Sequence, residues 1–115
     1  MSEVAEKLID LVKDFDLGSL SRSEKDIDVK EIFSGPSRKI VEVRLQDGAV
    51  LSRHKADVPI TVFCLAGNGV FYAGNDLEDS QRLTAGTLIT LDANIDHEVT
   101  AEPDLHLVVS KFRDR

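Results

Sequence analysis

The sequence predicts an all-β domain, a sandwich or barrel of short antiparallel strands, preceded by one amphipathic α-helix. Three observations carry that expectation. From residue 27 onward apolar and polar residues alternate with a period of two, whereas residues 2–15 repeat at steps of three and four. Turn residues interrupt the alternation at intervals of roughly eight to twelve positions, as in sandwiches and barrels. No long helical segment separates the strand segments, so the crossovers of a parallel α/β sheet have no sequence to occupy.

Taken in order, the first element is the helix. Val4, Leu8, Leu11, Val12 and Phe15 fall on one stripe, Ser2 is a reasonable N-cap, and Gly18 is a plausible stop. Residues 16–26 are small and polar and read as a linker, which divides the chain into a helix and linker (1–26) and a single β-domain (27–115). In that domain Ile27, Val29, Glu31 and Phe33 alternate with charged neighbours until Gly35-Pro36 breaks the run. Ile40 to Leu45 alternates next and ends at Asp47-Gly48, a strong tight-turn pair. Further strands are expected at 49–54, 59–66, 69–73, 81–83, 87–91, 97–101 and 105–112, with glycines at 67, 69, 74 and 86 between them. Gly67-Asn68-Gly69 is too short to cradle a phosphate and reads as a hairpin turn.

Charge narrows the classes of partner. Lys and Arg number 14 and Asp and Glu 21, a formal charge of −7, so nucleic acid and anionic membrane surfaces are not expected partners. Cys64 is the sole cysteine, which leaves no intramolecular disulfide and no CxxC pair. The N-terminal residues are polar and acidic, and no apolar run approaches the ~20 residues of a membrane span. A reducing cytoplasm is the expected location.

The residues that could carry chemistry are set by two glycine-to-histidine spacings. Gly48 precedes His54 by six residues, and Gly86 precedes His97 by eleven. Both pairs lie at turn-to-strand junctions, so both imidazoles could point into one closed sheet. The stretch from Gly48 through Gly67 resembles the first motif of the cupin superfamily, in which a glycine, five residues, His-x-His, a spacer, Glu, six residues and Gly follow one another. Gly86 through His97 is similar to the second motif. The resemblance, to a small single-domain RmlC-like cupin, covers about residues 38–112. It implies an antiparallel jelly-roll barrel and, in metal-binding members, one divalent ion held by three histidines and a glutamate.

The departures from that pattern bear on function. His54 matches the first ligand and His97 the last, but Ala56 stands in place of the second histidine and Ile60 in place of the glutamate. Asp92 and Asn94 replace the proline and glycine of the second motif. A third ligand would have to come from elsewhere. Cys64, four residues after Ile60 on one strand, shares its face and could supply a thiolate, or it is simply a small buried apolar residue. His106 joins the cavity if Val108 marks the inward face of the last strand, and lies on the surface if Leu105, Leu107 and Val109 do. Without a metal, a histidine paired with a carboxylate is a general base, and Asp57, Asp92 and Asp96 are the acids near the two histidines in sequence.

The expected cavity is lined by His54, Ala56, Ile60, Val62, Cys64, His97 and Val99, more apolar than that of a metal-binding relative. It therefore suits a small, partly apolar molecule. A binding module is the first functional expectation. The alternative is a metal-dependent enzyme of the oxygenase or isomerase type that uses His54 and His97, with one zinc, nickel, iron, manganese or copper ion or none. A structural barrel acting as a homodimer is the third, although small cupins are commonly dimers whatever their function.

Overall fold

A computed structural model of the chain describes residues 8–15, 22 and 24–113. Its elements are seven strands: β1 (Ile27–Ser34), β2 (Arg38–Leu45), β3 (Val50–His54), β4 (Ile60–Ala73), β5 (Asp79–Thr84), β6 (Leu88–Leu91) and β7 (His97–Phe112). Every strand pairing is antiparallel.

The architecture follows from two long strands that each serve two layers. The first half of β4, from Ile60 to Gly67, pairs with the second half of β7 and with β6, while the second half of β7 also pairs with β2. The second half of β4, from Gly69 to Ala73, pairs with the first half of β7 and with β5, and the first half of β7 also takes β3. One layer therefore reads β1-β2-β7-β4-β6 and the other β3-β7-β4-β5. Their inward residues meet in one apolar cluster, with Val41, Val43, Val62 and Leu107 from the first and Phe71, Leu83, Val99 and Ala101 from the second. Period-two alternation is the cause: along β2 the odd positions 41, 43 and 45 are buried, and the even ones are only partly covered.

The bend between layers explains two differences from the sequence expectation. Segments 59–66 and 69–73 form the single strand β4, because Gly67-Asn68-Gly69 is not a hairpin turn but a bulge, with register shifts between Cys64 and Ala66 and between Gly67 and Gly69. Gly67 has φ +95°, and a methyl group there would lie 2.1 Å from the carbonyl oxygen of Asp104, so only glycine lets the two backbones approach. Segments 97–101 and 105–112 are likewise one strand, β7, bent at Pro103, whose carbonyl accepts a hydrogen bond from the Gly48 amide at 2.8 Å. Asp47-Gly48 forms the expected tight turn, both residues with positive φ and the Ala49 amide bonded to the Gln46 carbonyl at 3.1 Å. It does not close a hairpin. The turn carries the chain from β2 in one layer to β3 in the other.

The N-terminal helix is not seen over residues 8–15, which carry no regular secondary structure, and residues 2–7 lie outside the described residues, as does Gly18. Leu8, Ile9 and Leu11 are 80%, 75% and 71% exposed. An isolated helix of about fourteen residues is marginal in water without an apolar face to pack, and of the stripe's described residues Leu8, Leu11 and Val12 are exposed. No helix among the described residues is long and apolar enough to cross a membrane.

Candidate ligand-binding cavity

Between the two layers, toward the end where β3 meets β7, lies a cavity of about 230 Å³. Val41 and Val43 from β2, Ile60 and Val62 from β4, and Leu107 and Val109 from β7 supply apolar wall from the first layer. Leu51 from β3, Phe71 from β4 and Val99 from β7 close it from the second. Each of these positions points inward by alternation along its strand, so the wall is the apolar face of the barrel left unfilled.

His54 and His97 stand together at the polar end. They are register partners in the β3–β7 ladder, and their ring centroids are 4.3 Å apart with planes inclined by 63°. His97 is 4% exposed and stacks on Phe71, centroid to centroid 5.6 Å, whereas His54 is exposed. Each ring is held by the backbone two residues earlier: His54 Nδ1 lies 2.8 Å from Ser52 O and His97 Nδ1 2.9 Å from Ile95 O. When neutral, each ring then donates through Nδ1 and keeps its lone pair on Nε2. Burial pushes the pKa of His97 down, and the charges of His54 and Lys111 add to this against the opposing Ile95 hydrogen bond and Asp96.

The remaining sequence candidates divide into those inside and those outside. Ala56, Ile60, Val62 and Val99 line the cavity. Cys64 does not: its side chain faces inward but lies deeper, fully buried in the closed core, with Sγ 3.4 Å from Ala66 O. Burial raises its pKa, which keeps it a thiol. His106 is also outside. Leu105, Leu107 and Val109 mark the inward face of β7, so His106 is on the opposite face; it is nevertheless fully buried, with Nε2 2.5 Å from Glu42 Oε2. Asp96 serves Arg53, whose Nη2 lies 2.7 Å from Asp96 Oδ2, and this pair lowers the Asp96 pKa. Asp57 and Asp92 are exposed and outside the lining. Lys55, Phe71 and Lys111 belong to the lining and were not among the sequence candidates. Alternation back from Lys111 through Val109 and Leu107 was the signal available for it.

Solved structures share this arrangement of strands. A cupin superfamily protein from Desulfitobacterium hafniense superposes with a TM-score of 0.72 at 13% identity, covering 82% of this chain and 83% of that one. The chain has a cupin fold. An RmlC-like cupin protein from Desulfovibrio desulfuricans gives a TM-score of 0.71 at 20% identity over 86% of this chain and 94% of that one. KdgF from Halomonas sp. gives 0.68 at 20% identity over 82% and 86%. At such identities the likeness is one of fold. No protein-family profile and no curated protein sequence matches the chain.

The cupin fold raises the question of the ion that metal-binding members hold. A catalytic zinc site has three protein ligands and an open position. Here the cavity offers the two imidazoles of His54 and His97, and among the described residues no group of three His, Cys, Asp or Glu side chains is placed to hold an ion. Ala56 and Ile60, at the two lost ligand positions, present only apolar surface to the cavity. The donor set does not fit a resident catalytic ion.

Proposed function

We propose that this cupin barrel binds a small, partly apolar molecule in its internal cavity. The observation that carries the reading is the lining itself: an apolar wall around about 230 Å³, with His54, Lys55, His97 and Lys111 as its polar groups. Pockets of that composition gain affinity from apolar contact and orientation from a few polar groups. The lost ligand positions point the same way, because Ala56 and Ile60 exchange ion-binding groups for wall.

Thermal-shift screening of small organic compounds tests the reading. A ligand present at a hundred times its Kd stabilises the folded state by about 2.7 kcal/mol, a rise in Tm of several degrees for a domain of this size. The same ligand is expected to lose most of that effect on Ala56→Leu, which places extra side chain in the lining at a partly exposed position that tolerates it. Equal stabilisation of the wild type and Ala56→Leu would place the binding elsewhere.

A further inference from the structure

We propose that the molecule taken by this cavity is a small monocarboxylic acid with an apolar body, its carboxylate held by Lys111 beside His97 and His54. This rests on the reading of the cavity as a binding site and adds the charge of its occupant.

The lining is selectively basic. It contains His54, Lys55, His97 and Lys111 but no Asp or Glu, in a chain whose acidic residues outnumber its basic ones by 21 to 14. An acidic protein that keeps carboxylates out of one concavity and places ammonium groups there favours an anion in it. Lys111 is the sharper observation. It lies on the inward face of β7 in line with Leu107 and Val109, it is half-buried, and among the described residues no hydrogen bond or ion pair engages its ammonium group. By contrast Lys39, its register partner on β2, reaches Glu31 at 3.4 Å. An ammonium group with no anion against it, at the edge of an apolar wall, is free to meet an incoming one.

The surroundings of Lys111 agree. Its charge is felt at His97, where burial and two basic neighbours disfavour a further positive charge. Asp96, whose charge reaches His97, is already committed to Arg53. An incoming carboxylate supplies the missing counter-charge. A phosphate fits less well, since the lining holds no arginine to meet several oxygens at once and the nearby Arg53 is occupied by Asp96 and the Asn75 carbonyl. Size follows from volume: benzene occupies an apolar cavity of about 150 Å³, so this one takes on the order of nine non-hydrogen atoms.

Isothermal titration of the full chain at neutral pH and low salt, with hexanoate, benzoate, 1-hexanol and hexylamine, decides the matter. At least one of the two acids is expected to bind about tenfold or more tightly than the alcohol, with the amine weakest. Lys111→Met, which keeps the apolar stem, is expected to bring the acid and the alcohol to within about threefold of each other, while Lys39→Met, an equal change of net charge outside the cavity, leaves the preference intact. Tm without ligand checks that both variants fold. If the alcohol binds the wild type as tightly as the acids, the charge assignment falls and the cavity reading stands. If none of the four compounds binds, both fall. A preference that survives in Lys111→Met overturns the role of that lysine.

Discussion

His54 and His97 meet edge to face, ring centroids 4.3 Å apart, because β3 and the first half of β7 pair in register at these two residues. The two rings are nonetheless unequal. His97 is buried and stacked on Phe71, with its Nδ1 fixed by Ile95, whereas His54 stands at the exposed rim.

That inequality predicts different costs for the same substitution. His97→Ala removes a buried ring and its contact with Phe71, and is expected to destabilise the fold by about 2 kcal/mol. His54→Ala is expected to change stability by no more than about 0.5 kcal/mol, as at most exposed positions. Urea unfolding of both variants checks this; equal losses would mean that the rings support each other rather than the barrel.

Stability should also fall with pH in a window set by His97. In the unfolded chain this residue takes up a proton near its ordinary value of 6.5, but in the folded barrel burial delays protonation to lower pH. Between those two values the unfolded state binds more protons, so stability declines as pH drops from about 6.5 toward the lowered value and is indifferent to this group above the window. The fall in unfolding free energy between about pH 7 and about pH 5.5 should be shallower in His97→Gln, measured by urea titration. An identical slope in the variant would assign the effect to other groups.

Gly67 and Gly86 offer a controlled comparison of backbone and space. Both have positive φ, +95° and +92°, so alanine is strained at either position. At Gly86 a methyl group meets nothing within 4 Å, and Gly86→Ala should cost about 1–2 kcal/mol, the left-handed penalty alone. At Gly67 it would also collide with the Asp104 backbone at 2.1 Å, where β4 and β7 bend together. Gly67→Ala should therefore cost more than about 4 kcal/mol or fail to fold. Circular dichroism melts of the pair distinguish the two cases, and similar Tm values would contradict the close approach.

These glycines show why much of the fold was legible. Gly48, Gly67 and Gly86 stand at the spacing of the two motifs, and each occupies a positive φ in the structure. Asn94, at the position of a further motif glycine, also has positive φ, 65°, a conformation asparagine tolerates better than most residues. The strand faces followed from alternation. What could not be read was continuity: a Gly-Asn-Gly run has the same composition in a turn and in a bulge, and only the close approach of Asp104 to Gly67 separates the two. The site was half legible for a different reason. His54 and His97 carry motif positions, whereas Lys111 carries none, and alternation from Leu107 and Val109 gives its face but not the cavity that the face borders.

Metal loading should reveal a weak site. Two imidazoles without a third protein ligand are expected to release zinc or copper during gel filtration, leaving well below one ion per chain by elemental analysis. Near-stoichiometric metal that survives gel filtration, and disappears in the His54→Ala/His97→Ala double variant, would sink this expectation and restore an ion to the cavity.

The pair of His106 and Glu42 carries a separate prediction on the opposite face of β7. His106 is fully buried, its Nε2 lies 2.5 Å from Glu42 Oε2, and its Nδ1 has no hydrogen-bond partner. Arg44 also reaches the same Glu42 oxygen, at 3.5 Å, so one carboxylate serves a histidine and an arginine. Removing it with Glu42→Leu leaves both ring nitrogens of a buried histidine unpartnered, and a loss of about 3 kcal/mol is expected. Glu42→Gln retains an accepting oxygen and should lose about half as much. Urea unfolding of the two variants at neutral pH measures the difference. If Glu42→Leu is as stable as the wild type, the contact contributes nothing that leucine packing does not replace, as happens at some buried ion pairs.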